Sequence, residues 1–212
     1  MTDFLPLFPL KLVVFPGEKL NLHIFEPRYK QLVRECEQNK ITFGIPAFID
    51  DKVMEMGTEL RLRKVVRRHD NGEMDIKTEG VGLFQIRNFY KEAPNKLYSG
   101  ADITRLDNEF KSDPLLNQKI LKYMGDLFEV LKIDKPLPDG PESFSTYDIA
   151  HQIGFSLEQE YEMLCLTTEY DRQAFISEHL QKLLPVVREM ERLRKKVQLN
   201  GHFKNIIPPK LK

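Results

Sequence analysis

The sequence predicts an α+β protein, in which a barrel-like antiparallel sheet is followed by a set of helices. Three observations lead there. Apolar residues recur at every second position through much of the first hundred residues, turn signals of the Pro-Gly and Asn-Gly type separate these short runs, and from Asp113 onward the apolar period changes from 2 to 3.6. About seven short strands with hardly any helix between them fit a sheet closing on itself better than a layered α/β arrangement. The chain divides on this basis into a β-rich part, residues 1–108, a helical part, residues 112–200, and a tail, residues 201–212.

Two strands feeding a helix open the chain. Pro16-Gly17 marks a turn, after which Leu20, Leu22 and Ile24 alternate. Pro27 fixes φ at a helical value where no hydrogen bond is lost, and Glu26 suits the positive end of a helix dipole. The helix therefore starts near Arg28 and ends near Asn39, with Tyr29, Leu32, Val33 and Cys36 on one apolar face. Ile41 to Ile49 and Thr58 to Val66 read as strands, and Pro46 marks an edge or a bulge in the first. Asp70-Asn71-Gly72 predicts a hairpin with a type I′ turn, since Asn-Gly tolerates two positive φ values. Met74 to Thr78, Leu83 to Tyr90 and Tyr98 to Arg105 complete the strand series.

The helical part begins at Asp113-Pro114, an N-cap followed by proline at the first helical position, and carries Leu116, Ile120, Met124, Leu127 and Leu131 as a stripe. Residues 135–141 are too rich in Pro and Gly to be helical and read as a connection. Ser145 caps a short helix closed by Gly154, and Ser156-Leu157-Glu158-Gln159 fits a capping box. A last helix from near Thr168 carries Phe175, Ile176, Leu180, Leu183 and Leu184, then Val187, Met190, Leu193 and Val197 beyond Pro185. That proline is expected to kink or divide it, and Asn200-Gly201 to stop it. Ile206-Ile207-Pro208-Pro209 in the tail is expected to pack on the body or to await a partner.

Composition excludes several function classes. Thirty-two basic against thirty-two acidic residues leave no net charge, which gives nucleic acid and acidic membranes no global attraction. Two cysteines, Cys36 and Cys165, make no disulfide framework and no Cys-based zinc site. With no secretory leader and no apolar run near the roughly 18 residues of a membrane span, a cytoplasmic location without membrane contact is the expectation.

Catalytic and cofactor motifs are absent from the sequence. There is no G-x-x-x-x-G-K-[ST] phosphate loop, Gly80-Val81-Gly82 lacks the third glycine of a dinucleotide fingerprint, and no G-x-S-x-G elbow occurs. The five histidines are scattered, without metal-ligand spacing; His23 and Glu26 are the nearest couple and read as structural or solvent-facing. Cys36 and Cys165 read as packed thiols rather than nucleophiles. Glu158, Glu160 and Glu162 are two apart and do not face one another on a helix. The basic runs, Arg61-Leu62-Arg63-Lys64 with Arg67-Arg68, and Arg188 to Lys196, lack interleaved aromatics, and the second mixes signs as a solvated face does. The expectation is thus no enzyme, no cofactor and no metal.

The opening residues carry a family resemblance. Pro6-Leu7-Phe8-Pro9-Leu10, Val14-Phe15-Pro16-Gly17 and Leu22-His23-Ile24-Phe25-Glu26-Pro27-Arg28-Tyr29 resemble the signature of the Lon protease N-terminal, substrate-binding domain family. Gly57-Thr58, Asn71-Gly72, Glu79-Gly80 with Leu83-Phe84-Gln85-Ile86, and Tyr98 to Ile103 agree with it. The resemblance implies a PUA-like β pseudo-barrel followed by a helical bundle, and a role in holding unfolded or degron-bearing protein for proteolysis. With neither a phosphate loop nor room for a protease domain in these 212 residues, only binding carries over. A non-catalytic module that binds unfolded or exposed apolar segments, as an adaptor to an ATP-dependent protease or as an oligomer, is the first expectation, with Phe25, Arg28 and Tyr29 as peptide-binding residues. RNA binding through Arg61, Arg63, Arg67 and Arg68, and a small enzyme using Cys36 or His23, are the alternatives.

Overall fold

The structure, a computed structural model, describes the backbone of residues 3–202 and the side chains of residues 3–198. The tail beyond His202, with its Ile206-Ile207-Pro208-Pro209 segment, lies outside the described residues. In chain order the elements are β1 (Asp3–Leu7), β2 (Lys19–Ile24), α1 (Pro27–Asn39), β3 (Phe43–Ile49), β4 (Lys52–Arg68), β5 (Met74–Tyr90), β6 (Ser99–Leu106), α2 (Pro114–Leu131), α3 (Thr146–Ile149) with a 3-10 turn at Ala150–Gln152, α4 (Leu157–Leu164) and α5 (Glu169–His202). Contacts divide the chain into two compact units. The first holds residues 1–111 and 145–172, the second residues 112–144 and 173–212. The sequence groups everything beyond residue 112 together, whereas α3 and α4 return to the unit of the sheet, where the Tyr161 hydroxyl accepts a hydrogen bond from the Met56 amide at 3.2 Å.

The six strands run in the order β2-β5-β4-β3-β1-β6, and β6 pairs back onto β5, so five of them form a closed ring with β2 attached outside it. Two features depart from the expected sheet. β1 and β3 pair in parallel at Leu7 and Gly44, because the chain between them passes through β2 and α1 and returns in the same direction. The two runs expected on either side of Gly80 form one strand, β5, which pairs with β4 from Met74 to Gln85 and bends through three register shifts instead of breaking. Pro46 sits at a register shift in β3, as its missing N–H requires.

The turn between β4 and β5 is a hairpin, but not of type I′. Gly72 has φ 79°, while Asn71 is not among the positive-φ residues. The Gly72 amide donates to the His69 carbonyl at 2.8 Å and the His69 amide to the Glu73 carbonyl at 2.9 Å, so the left-handed position falls one residue later than a two-residue loop would put it.

The opening motif is mostly core. Leu5, Leu7, Phe8, Val14 and Phe15 are buried, and Tyr29, Leu32, Val33 and Cys36 of α1 join Phe8, Phe43, Ile45 and Leu60 in one apolar cluster. Phe8 stacks on Tyr29 with ring centroids 3.7 Å apart. Gly17 holds φ 86°, and its amide donates to the Gly80 carbonyl at 2.9 Å while the Gly80 amide donates to the Glu18 carbonyl. A Cβ on Gly80 would lie 2.5 Å from the Phe15 carbonyl oxygen, so this glycine allows the loop to dock on β5 and does not mark a turn. Phe15 stacks against Tyr147 of α3 at 5.0 Å.

Arg172 closes the first unit. Its guanidinium is fully buried against Glu169 and donates to Asn108 Oδ1, the Leu166 and Glu109 carbonyls and Thr146 Oγ1, with its plane 4.3 Å from the Tyr147 ring centroid. In the second unit, Asp113 caps α2 as expected, and Gln173 both accepts from the Asp113 amide and donates to Asn117 Oδ1. Ile176, Leu180 and Leu184 of α5 are buried. The helix then continues unbroken through Pro185, and past Gly201 to His202; a single missing amide in an exposed turn is tolerated where water serves the freed carbonyl. Met190, Leu193 and Val197, expected as an apolar stripe, are exposed.

Candidate functional site

Within the first unit, an open cleft of about 440 Å³ lies between the loop after β1, the start of α1, and strands β3, β4, β5 and β6. Tyr29, Phe48, Val53 and Phe89 give it apolar walls, and Arg28 and Lys91 stand at its margin. Pro27 at the first helical position sets the entry of α1, which turns the Tyr29 ring into the core and leaves only its edge for the cleft; the residue is 5% exposed. Burial, the largest influence, raises the Tyr29 hydroxyl above the ordinary tyrosine pKa, against the opposing field of Arg28. The Arg28 guanidinium lies 4.5 Å from the Tyr29 ring centroid and pairs with Glu26 at 2.8 Å, so its charge is steadied at the rim. Phe89 is 43% exposed. A second hollow, of about 540 Å³, shares Phe48, Val53 and Phe89 and extends the apolar surface toward Ile86.

Of the expected peptide-binding residues, the structure brings Arg28 and Tyr29 to this cleft. Phe25 is not among its lining; it is 59% exposed and lies beside His23, ring centroids 6.3 Å apart. Phe48 and Phe89 escaped the sequence reading, because they lie on different strands, β3 and β5, far apart along the chain, and only the sheet order joins them. Their one signal in the sequence is that each is a large apolar residue at the end of its strand.

The alternative sites are less well furnished. Cys36 is buried and its thiol is pushed up to about 12, mainly by burial, so no thiolate is available for attack. Cys165, expected to be packed, is exposed at the end of α4, since the helix turns its Met163 and Leu164 inward instead. Arg63 and Arg68 of the basic stripe on β4 are paired with Glu79 and Glu37, which cancels much of the charge an RNA phosphate would meet. Arg188, Arg192 and Arg194 of the second basic run are paired with Asp126, Glu189 and Glu191, as expected for a solvated face. No helix among the described residues is long and apolar enough to cross a membrane.

Residues 4–199 match the family model of the ATP-dependent protease La (LON) substrate-binding domain. The chain belongs to this Lon substrate-binding domain family. Solved structures of similar fold include a Lon N-terminal domain protein from Xanthomonas campestris, with 23% identity and a TM-score of 0.60 over 86% of this chain and 98% of that one. The N-terminal domain of a Lon protease from the Mycobacterium avium complex matches at 12% identity and a TM-score of 0.59, over 84% and 98%. At such identities the likeness is one of fold. No curated protein matches the sequence. The family is that of the substrate-binding domain of an ATP-dependent protease, which suggests a substrate-recognition module.

Proposed function

We propose that this Lon-family module holds an exposed apolar segment of an unfolded protein in the cleft beside Tyr29, Phe48 and Phe89, and presents it to an ATP-dependent protease as an adaptor. The observation that carries this reading is an open, apolar-walled cleft built from the same residues, Arg28 and Tyr29, that close the family signature. Arg28 and Lys91 at its margin favour segments in which an acidic residue flanks the apolar ones. Selectivity for sequence is low, because aromatic walls reward apolar area more than shape. The same reading takes the closed sheet as PUA-like and α5 as bent at Pro185, with Phe25 as an outlying contact for a longer segment.

The test is fluorescence anisotropy with a labelled, reduced and carboxymethylated protein, which cannot refold. Burial of one Phe side chain is worth about 1.5–3 kcal/mol, so Phe89→Asp weakens binding by roughly 10-fold or more. Phe25→Ser has a smaller effect. No binding up to high micromolar protein, or binding that both Phe89→Asp and Phe48→Asp leave intact, overturns the assignment to this cleft.

A further inference from the structure

At the β4–β5 hairpin the fold brings His23 of β2 onto two residues, His69 and Asp75, that face each other across the turn. His23 is the last residue but one of β2, Asp75 is the second of β5 and lies directly opposite it in register, and His69 lies just beyond β4. Their potential ligand atoms, one from each residue, lie within 4.8 Å of one another. Asp75 uses both carboxylate oxygens: Oδ1 is 2.7 Å from His23 Nδ1 and Oδ2 is 2.8 Å from His69 Nε2. The two imidazoles meet edge to face, with centroids 5.6 Å apart. Glu73 Oε2 lies 3.2 Å from His23 Nε2, on the far side of that ring.

From this arrangement we infer a binding site for a divalent transition-metal cation, zinc by its donor set, formed by His23 Nδ1, His69 Nε2 and Asp75. Two imidazoles and a carboxylate are the donors that zinc takes in three-ligand sites, with a fourth position left for water, whereas magnesium and calcium take oxygen ligands throughout. Glu73 acts as the outer partner. By accepting a hydrogen from His23 Nε2 it holds the ring with Nδ1 toward Asp75, so that a cation entering there displaces the Nδ1 proton that Asp75 otherwise accepts, the carboxylate–histidine–metal relation that orients many such ligands. Metal–ligand distances of about 2.0–2.2 Å place tetrahedral ligands roughly 3.3 Å apart, so the two nitrogen–oxygen contacts need to open by about half an ångström, while the two nitrogens, which lie within 4.8 Å of one another, settle at that same separation.

The frame is set in advance by the backbone. His23 and Asp75 are held by six residue pairs between β2 and β5, and the His69 and Gly72 amide bonds fix the turn that carries His69 and Glu73. The cationic competitor nearest to Glu73 is Lys30, whose ammonium instead donates to the Asn71 carbonyl at 3.2 Å. A bound cation would tie β2 to the hairpin at the place where the chain turns through Phe25 into α1.

The test uses the full chain without an affinity tag, titrated with zinc ion by calorimetry in a weakly coordinating buffer, and with cobalt(II) followed by visible absorption. The expected result is one equivalent bound, a tetrahedral cobalt spectrum without thiolate charge-transfer bands, and a zinc-dependent rise in Tm. His69→Gln and Asp75→Asn abolish the spectrum, and Glu73→Gln weakens zinc binding by about 10-fold or more. Melting curves in EDTA establish that each variant is folded. Where one is not, zinc X-ray absorption on the unsubstituted protein decides by the presence of two imidazoles. No binding, or binding unchanged by all three substitutions, or a spectrum showing sulfur ligation overturns the site.

Discussion

Arg172 offers the most exacting check on how the first unit is held together, because its burial is complete and every partner is identified. The guanidinium approaches Glu169 Oε2 from both Nε, at 3.0 Å, and an Nη, at 2.7 Å, and bonds the carbonyls of Glu109 and Leu166 and the side chain of Asn108. It thereby fastens the segment after β6, the end of α4 and the start of α5 to α3, through Thr146 and Tyr147. Arg172→Met preserves much of the volume but removes the charge. Glu169 is then left buried with only the Thr146 amide and hydroxyl as donors, and breaking a buried pair in this way costs about 3–5 kcal/mol. For a chain of this size that is a fall in Tm of roughly 6–20 °C. Urea and thermal unfolding followed by circular dichroism read it directly. Adding Glu169→Leu to Arg172→Met removes the stranded carboxylate, and the double variant should regain a sizeable part of the loss. The reasoning fails if Arg172→Met lies within about 1 kcal/mol of the unsubstituted protein, the usual range for a surface position, or if the double variant is as unstable as the single one.

Gly80→Ala should destabilise by about 1–3 kcal/mol, because its Cβ would meet the Phe15 carbonyl at 2.5 Å, whereas Gly82→Ala, with open space around it, should be near neutral; denaturant midpoints for the two variants decide this. His151 lies between Glu160 and Glu18, at 2.7 and 3.2 Å, and these two hydrogen bonds, against the opposing effect of burial, raise its pKa to about 10. A folded-state pKa above the unfolded value of about 6.5 means that its stabilisation is full below pH 6.5 and is lost as pH rises toward 10. Tm should therefore fall over that window in the unsubstituted protein and less steeply in His151→Gln; parallel curves would refute the assignment.

What was legible in the sequence was whatever is decided locally. Pro27 and the spacing of Tyr29, Leu32, Val33 and Cys36 define α1 almost to the residue, and Asp113, Ser145 and Ser156 cap their helices as read. Each of these signals acts within one or two turns of the chain. The misread or missed features are those that a distant partner decides. The runs on either side of Gly80 read as two strands until the Phe15 carbonyl is placed against that glycine, and the burial of Arg172 has no local signal at all, since Asn108, Leu166 and Tyr147 surround it only in the fold.

The two candidate sites divide along the same line. Arg28 and Tyr29 can be read from the signature, but the cleft needs Phe48 and Phe89, which meet only because β1 and β6 complete the ring that links β3 to β5. For the metal site the sequence did hold a usable signal. Asn71-Gly72 predicts a hairpin, and any hairpin there brings His69 close to Asp75 across the turn, two of the three ligands at once. His23 comes in through the register of β2 on β5, which no turn specifies, since the two strands are joined through α1, β3 and β4. The alternation of Leu20, Leu22 and Ile24 is compatible with that register and with its shift by two, and only a shift by one would turn the other face inward. The docking of Gly17 and Glu18 on Gly80 removes the remaining freedom: it pins the residues just before β2 to a single point on β5, and from there each following pair, down to His23 opposite Asp75, is determined. The turn in the family signature thus positions a residue that the signature's own fold role does not require, and a Gly80→Ala variant that slips this anchor should lose zinc binding together with stability.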